Sequence, residues 1–150
     1  MRPYALIDLH CDTLTDCIHH SAPDTDTLND PARTLSLANL PADVHWAQFF
    51  AVYLPDSLRG EEAVRFFDAA CADFDRQMQK FSSRAAACRS ASDMEKAWAA
   101  GKTAAFLSVE NGCAFAGDLS RIEKMKRQGV CAVTLTWNGE NELGSGSVSE

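Results

Sequence analysis

His10 and Asp12 stand two apart in "YALIDLHCDT" (4–13), directly after an apolar run. Residues two apart on a strand point to the same side. An imidazole nitrogen and a carboxylate oxygen can then meet one cation at about 2.0–2.2 Å. Glu110 ends a second apolar run, "TAAFLSV" (103–109). Its two oxygens can span a pair of cations about 3.5–4 Å apart, the spacing of binuclear hydrolytic centres. Asn138 follows a further run, "VCAVTLTW" (130–137), as another polar residue at a strand end. His-x-Asp alone is a short pattern, and Glu110 equally fits an N-cap acceptor or a surface residue before the Asn111-Gly112 turn.

What gives the pattern weight is the place of these residues at the ends of strands. Residues 4–9, 46–54, 103–109 and 130–137 are nearly continuous apolar runs, which suits strands of a parallel sheet covered by helices. Between them, Val64, Phe67, Cys71, Phe74, Met78 and Phe81 share one face of a helix over 61–81, with Glu61 and Glu62 in its first turn. A second helix starts with Ser92 and Glu95 in capping-box spacing and stops at Gly101. A third starts with Ser120 and Glu123 and stops at Gly129. Strand and helix in alternation, joined by right-handed crossovers, build an α/β sheet whose C-terminal edge gathers the strand-end groups.

Residues 13–45 interrupt this order with a long polar stretch. It shows no core pattern beyond a short helix near 36–40, and a loop of that length is a functional or disordered segment. His19 and His20 within it read as solvated, and His45 as structural or exposed. Asp24, Asp26 and Asp30 lack the spacing and glycine of a calcium loop. "GSGS" (144–147) reads as a flexible end or mobile loop.

At 150 residues the chain has the size of one domain. A net charge of −7 with no strongly basic segment argues against a nucleic-acid surface. No apolar run approaches the ~20 residues needed to span a bilayer, and no secretory leader pattern opens the chain. The six cysteines form no CxxC pair and sit mostly in apolar patterns, as reduced thiols of a cytoplasmic protein do.

Together, "DLHCDTL" (8–14), "WAQFFAVYLPD" (46–56), "GKTAAFLSVENG" (101–112) and "GVCAVTLTWNGENELGSGS" (129–147) resemble the renal (membrane) dipeptidase family of zinc metallopeptidases, in family order and spacing. The resemblance implies a (β/α)8 barrel of TIM type, with about the first four βα units in residues 1–150. It implies two zinc ions, with His10 and Asp12 as ligands of the first and Glu110 as the carboxylate shared by both. It also implies hydrolysis of dipeptides, often with a D-residue at the C-terminal side, by a metal-bridging hydroxide. Animal members carry a substrate-contacting histidine where this chain has Trp137, which leaves Asn138 or Asn141 for that contact. The two histidines that complete the family's second metal site, and its later arginine and aspartate, have no counterparts up to Glu150. The expectation is therefore the N-terminal half of a barrel, with open sheet edges that favour a homo-oligomer or a missing C-terminal half. Two other readings remain open. One is a different metal-dependent amidohydrolase-type barrel, although those usually begin His-x-His. The other is a half-barrel without catalysis.

Overall fold

The computed structural model describes residues 4–19 and 27–148, the side chain of His19 excepted. Five strands form one wholly parallel sheet: β1 (Tyr4–Asp8), β2 (Val44–Tyr53), β3 (Ala85–Ala87), β4 (Thr103–Glu110) and β5 (Val130–Thr134). The helices are α1 (Thr13–His19), α2 (Gly60–Lys80), α3 (Ala91–Ala99) and α4 (Arg121–Arg127), with a short 3-10 helix at Gly112–Phe115.

Order along the chain is not order across the sheet. The strands lie β1-β2-β4-β3, and β5 also pairs with β4, beyond the point where the three-residue β3 has ended. The connection from β3 to β4 therefore runs back toward β2, opposite in direction to the one from β2 to β3. A right-handed crossover in each direction puts the two helices on opposite faces. On one face, Phe50, Val52, Ala105, Leu107 and Val109 pack against Phe67, Cys71, Phe74 and Met78 of α2 and Met125 of α4. On the other, Ala47, Ala104 and Phe106 meet Met94, Ala97 and Trp98 of α3. The Trp98 indole N–H donates to the Trp46 carbonyl at 2.9 Å. α3 thus covers only the N-terminal part of its face and leaves the C-terminal ends of β2 and β4 open there.

Several expectations need correction. β3 is a fifth strand, and its Ala-Ala-Ala sequence carries no strand-favouring side chain to announce it. The run at β1 is not buried: Tyr4, Leu6, Ile7 and Leu9 are 81, 41, 51 and 70% exposed, because β1 pairs on one side only. Residues 13–45 do contribute to the core. α1 buries Leu14 and Cys17, while Leu28 and Leu37 reach the α2 layer. Gln77 of α2 holds this segment by accepting the Leu28 N–H at 2.9 Å. Residues 37–39 form a turn instead of a helix. The α3 cap is Ser90 with Asp93, not Ser92 with Glu95. Ser120 makes no side-chain cap, and its N–H donates to Asp118. Gly101 and Gly129 end their helices at positive φ, as expected. "GSGS" folds back instead of hanging free: Asn141 bridges to Gly144, Val148 N–H reaches the Asn138 carbonyl, and a Cβ on Gly146 would meet that carbonyl at 2.3 Å. His20, Asp24 and Asp26 lie outside the described residues.

α4 is fastened to α2 by Asp68, which accepts from Lys124 at 2.8 Å and from Gln128 at 3.1 Å. Partial burial opposes ionisation of Asp68, but these donors and the nearby Arg121 outweigh it and hold the carboxyl below its ordinary value. A lowered native value stabilises the fold above the unfolded-state value and is lost as pH falls through the native one. Asp68→Asn should lower stability by roughly 0.5 kcal/mol at pH 7, the size expected for a half-exposed pair. Thermal unfolding across pH should show the gap to wild type closing below the ordinary aspartate value of about 3.9.

Candidate metal centre

β1 ends at Asp8, yet its backbone rejoins β2 at Cys11, between His10 and Asp12. Cys11 N–H donates to the Phe49 carbonyl at 3.0 Å and Ala51 N–H to the Cys11 carbonyl at 2.9 Å, which sets Cys11 opposite Phe50. Since Asp8 is opposite Gln48, three steps on this strand face two on β2. That extra residue is a bulge, a device that re-aims the side chains after it. Cys11 turns into the α2-side core, where burial pushes its thiol up to about 12. Alternation then sends His10 and Asp12 to the opposite face.

The segment is clamped from its far side as well. The buried Thr15 hydroxyl of α1 donates to the Ala51 carbonyl at 3.0 Å and accepts from Tyr53 N–H at 2.8 Å. It thereby continues the β2 ladder where β1 has left off.

On β4, Glu110 pairs with Tyr53 of β2 and Thr134 of β5, and its carboxylate faces His10. His10 Nε2 lies 3.2 Å from Asp12 Oδ1 and 3.4 Å from Glu110 Oε2. One donor atom from each of the three residues falls within 4.8 Å of the others. Donors about 2.0–2.2 Å from a tetrahedral cation lie about 3.3–3.6 Å apart. The separations to His10 and the mix of one imidazole with two carboxylates therefore fit a borderline cation such as zinc. Burial raises the Glu110 carboxyl above its ordinary value; His10 draws it down and Asp12 adds to the rise. The structure thus brings His10, Asp12 and Glu110 together.

The capping role open to Glu110 falls to its neighbour. Asn111, fully buried at φ +84°, accepts the Cys113 N–H and donates to the Leu54 carbonyl and to Asp56 Oδ1, both at 3.0 Å. Asp56 Oδ2 accepts Gly139 N–H at 2.8 Å, and Asn141 Nδ2 donates to Asn111 Oδ1 at 2.9 Å. Asp56, Asn111 and Asn141 thus tie together the loops after β2, β4 and β5. Sequence reasoning passed over Asp56 and Asn111, although "VENG" and "LPD" hold turn-forming residues directly after strands. Asn141 is absorbed by this network. Asn138 sits half-buried in the loop after β5, its carbonyl accepting from Val148. Tyr53 was also missed: burial and the charges of Asp56, Glu110 and Asp12 raise its phenol. His45 is structural, stacked on Trp98 with ring centroids 5.3 Å apart.

The model of the membrane dipeptidase family, peptidase family M19, matches residues 1–150. The chain belongs to that family. Among solved structures it resembles the family M19 metallopeptidase called dipeptidase AC, with a TM-score of 0.79 at 20% identity over 91% of this chain and 44% of that one. It resembles equally a metallopeptidase from Rhodobacter sphaeroides liganded with a phosphinate mimic of the dipeptide L-Ala-D-Ala: TM-score 0.79, 16% identity, 93% of this chain and 47% of that one. An amidohydrolase from Pseudomonas aeruginosa matches over 69% of this chain and 30% of its own, with a TM-score of 0.60 at 21% identity. No curated protein matches the chain in sequence. The chain thus spans under half the length of the solved dipeptidases it matches. Its sheet and helices form the corresponding part of a TIM-type barrel.

Asn111→Asp keeps the acceptor but removes the donor and sets a second carboxylate against Asp56. It should cost about 2–3 kcal/mol, the range for a broken buried hydrogen-bond pair. Denaturant unfolding should show this as a lower midpoint at unchanged slope.

Proposed function

We propose that residues 1–150 are the N-terminal half of a zinc-dependent dipeptidase barrel and carry its first metal ligands. The observation that carries this reading is the convergence of His10, Asp12 and Glu110 from two strand ends, within 4.8 Å, in a chain of the M19 family. His10 and Asp12 would hold the first of two zinc ions, and Glu110 would be a ligand shared with the second. When bound, zinc supplies a Lewis acid for the scissile carbonyl and a means of ionising water near neutral pH.

The chain's own residues do the positioning. The bulge after Asp8 and the Thr15 clamp fix the aim of His10 and Asp12. The Asn111 network fixes the turn that follows Glu110, so the ligand oxygens are held before a cation arrives. Asn138 contacts the dipeptide from the loop after β5. The dipeptidase reading is favoured over an amidohydrolase of another kind because the third position of the motif is Asp12, not histidine. Burial pushes the thiols of Cys71 and Cys113 up to about 12 and about 11, and the proposal places the protein in a reducing, cytoplasmic setting. Among the described residues no helix is long and apolar enough to cross a membrane.

The test is zinc content and hydrolysis of a dipeptide panel, including L-Ala-D-Ala, by the complete gene product. Bound zinc with dipeptide hydrolysis is expected; a zinc-free, inactive oligomer would leave only a non-catalytic half-barrel. His10→Ala and Asp12→Ala should each remove first-site zinc and lower kcat at least 100-fold, the order seen when a metal's ligand shell is broken. Cys11→Ala should cost far less. Unchanged zinc stoichiometry in both ligand variants would sink the assignment.

A further inference from the structure

Tyr53 and Trp137 form an aromatic pair that the metal chemistry does not use. Their ring centroids are 5.0 Å apart with planes at 68°, an edge-to-face arrangement. Tyr53 is the register partner of Glu110 on the neighbouring strand, so the two side chains stand on the same face, one strand spacing of about 4.8 Å apart. Trp137 follows β5, whose Thr134 pairs with Glu110 from the other side. The aromatic pair therefore borders the carboxylate cluster.

Trp137 is 37% exposed, an unfavourable place for an indole with so much apolar area. A loose loop does not explain it, because the chain is pinned on both sides of the residue. Before it, the Leu135 carbonyl accepts Gly112 N–H at 3.1 Å and Asn141 Nδ2 at 2.8 Å. After it, Gly139 N–H is held by Asp56. The first of these contacts needs Gly112, where a Cβ would meet the Leu135 carbonyl at 2.7 Å. The backbone thus holds an indole at the open end of the sheet, beside the candidate ligands and against Tyr53.

We infer that Tyr53 and Trp137 form an apolar wall of the substrate site, which selects dipeptides with an apolar or aromatic side chain next to the scissile bond. The inference rests on the dipeptidase reading and adds the class of side chain preferred. A peptide whose carbonyl lies over the cluster places its adjacent side chains within reach of the neighbouring strand ends. Burying the exposed indole face against such a side chain gains free energy that a glycyl peptide does not provide. Discrimination by one apolar contact of this size is of the order of tenfold or more.

The experiment uses the zinc-loaded complete gene product and the peptides Gly-D-Ala, Leu-D-Ala and Phe-D-Ala. Wild type should show higher kcat/KM for the leucyl and phenylalanyl peptides than for the glycyl one. Trp137→Ala should reduce that ratio about tenfold, with Trp137→Phe restoring most of it and zinc stoichiometry unchanged in both. A Trp137→Ala enzyme that loses activity equally on all three peptides, or loses only thermal stability, overturns the wall. If zinc-loaded wild type hydrolyses none of them, the dipeptidase reading fails separately. Calorimetric binding of the same peptides then decides the wall: tighter binding of Leu-D-Ala that Trp137→Ala abolishes supports it, and equal affinity for Gly-D-Ala and Leu-D-Ala overturns it.

Discussion

The parallel pairing of β2 with β4, from Ala47–Ala104 to Tyr53–Glu110, is the constraint on which the rest of the molecule depends. Parallel strands end on the same edge, so one ladder brings the tip of β2 and the tip of β4 level. β1 joins β2 from the other side, and its continuation through Cys11 carries His10 and Asp12 to the level of Glu110. The two ends of the candidate ligand cluster, His10 and Glu110, are far apart in sequence and separated by one intervening strand in space. Nothing local could have set their distance; the ladder does.

The order β1-β2-β4-β3 has a consequence for the site. A crossover that advances and one that returns place α2 and α3 on opposite faces. α3 then fills the N-terminal part of the face that bears the cluster, through Met94, Ala97 and Trp98, and stops short of Tyr53 and Glu110. One end of this face is a packed core and the other an open chemical edge. The same division in barrel enzymes separates the residues that stabilise from those that react.

Much of this was legible in the sequence for physical reasons that can be named. Continuous apolar runs at 46–54 and 103–109 gave buried parallel strands, because both faces of these strands are covered. The face of α2 followed from its 3.6-residue spacing: Phe67, Cys71, Phe74 and Met78 are buried, and Ala63, Ala70 and Gln77 join them. What escaped notice was set by distant contacts. β3 is three alanines, and only its pairing with Thr103–Ala105 makes it a strand. α1 looks polar because its buried stripe is narrow and relies on Thr15, whose value lies in a hydrogen bond to β2. The bulge after Asp8 left no mark that composition or spacing reveals. It nevertheless decides which way His10 and Asp12 point, so the pattern His-x-Asp named residues that the fold gathers beside Glu110 on an incomplete account of their geometry.

The electrostatics of the cluster bear on why these three residues stand together. Two ionised carboxylates with oxygens about 4–5 Å apart repel by roughly 3–4 kcal/mol at an effective dielectric of 20. Among the described residues, His10 is the basic group within 4 Å of both Asp12 and Glu110. Arg59 turns its guanidinium to the carbonyls of Leu58 and Glu140, and Lys124 is engaged with Asp68 on α2. Burial is the main cause of the raised Glu110 carboxyl, with His10 opposing the rise and Asp12 adding to it. A fold selected only for stability would relieve the repulsion with a lysine or an amide at any of the three positions. The bulge, the Thr15 clamp and the Asn111 network instead hold the donors in place at an electrostatic cost. A divalent cation among them would offset that cost, which supports the proposal of a metal centre over a surface ion-pair cluster.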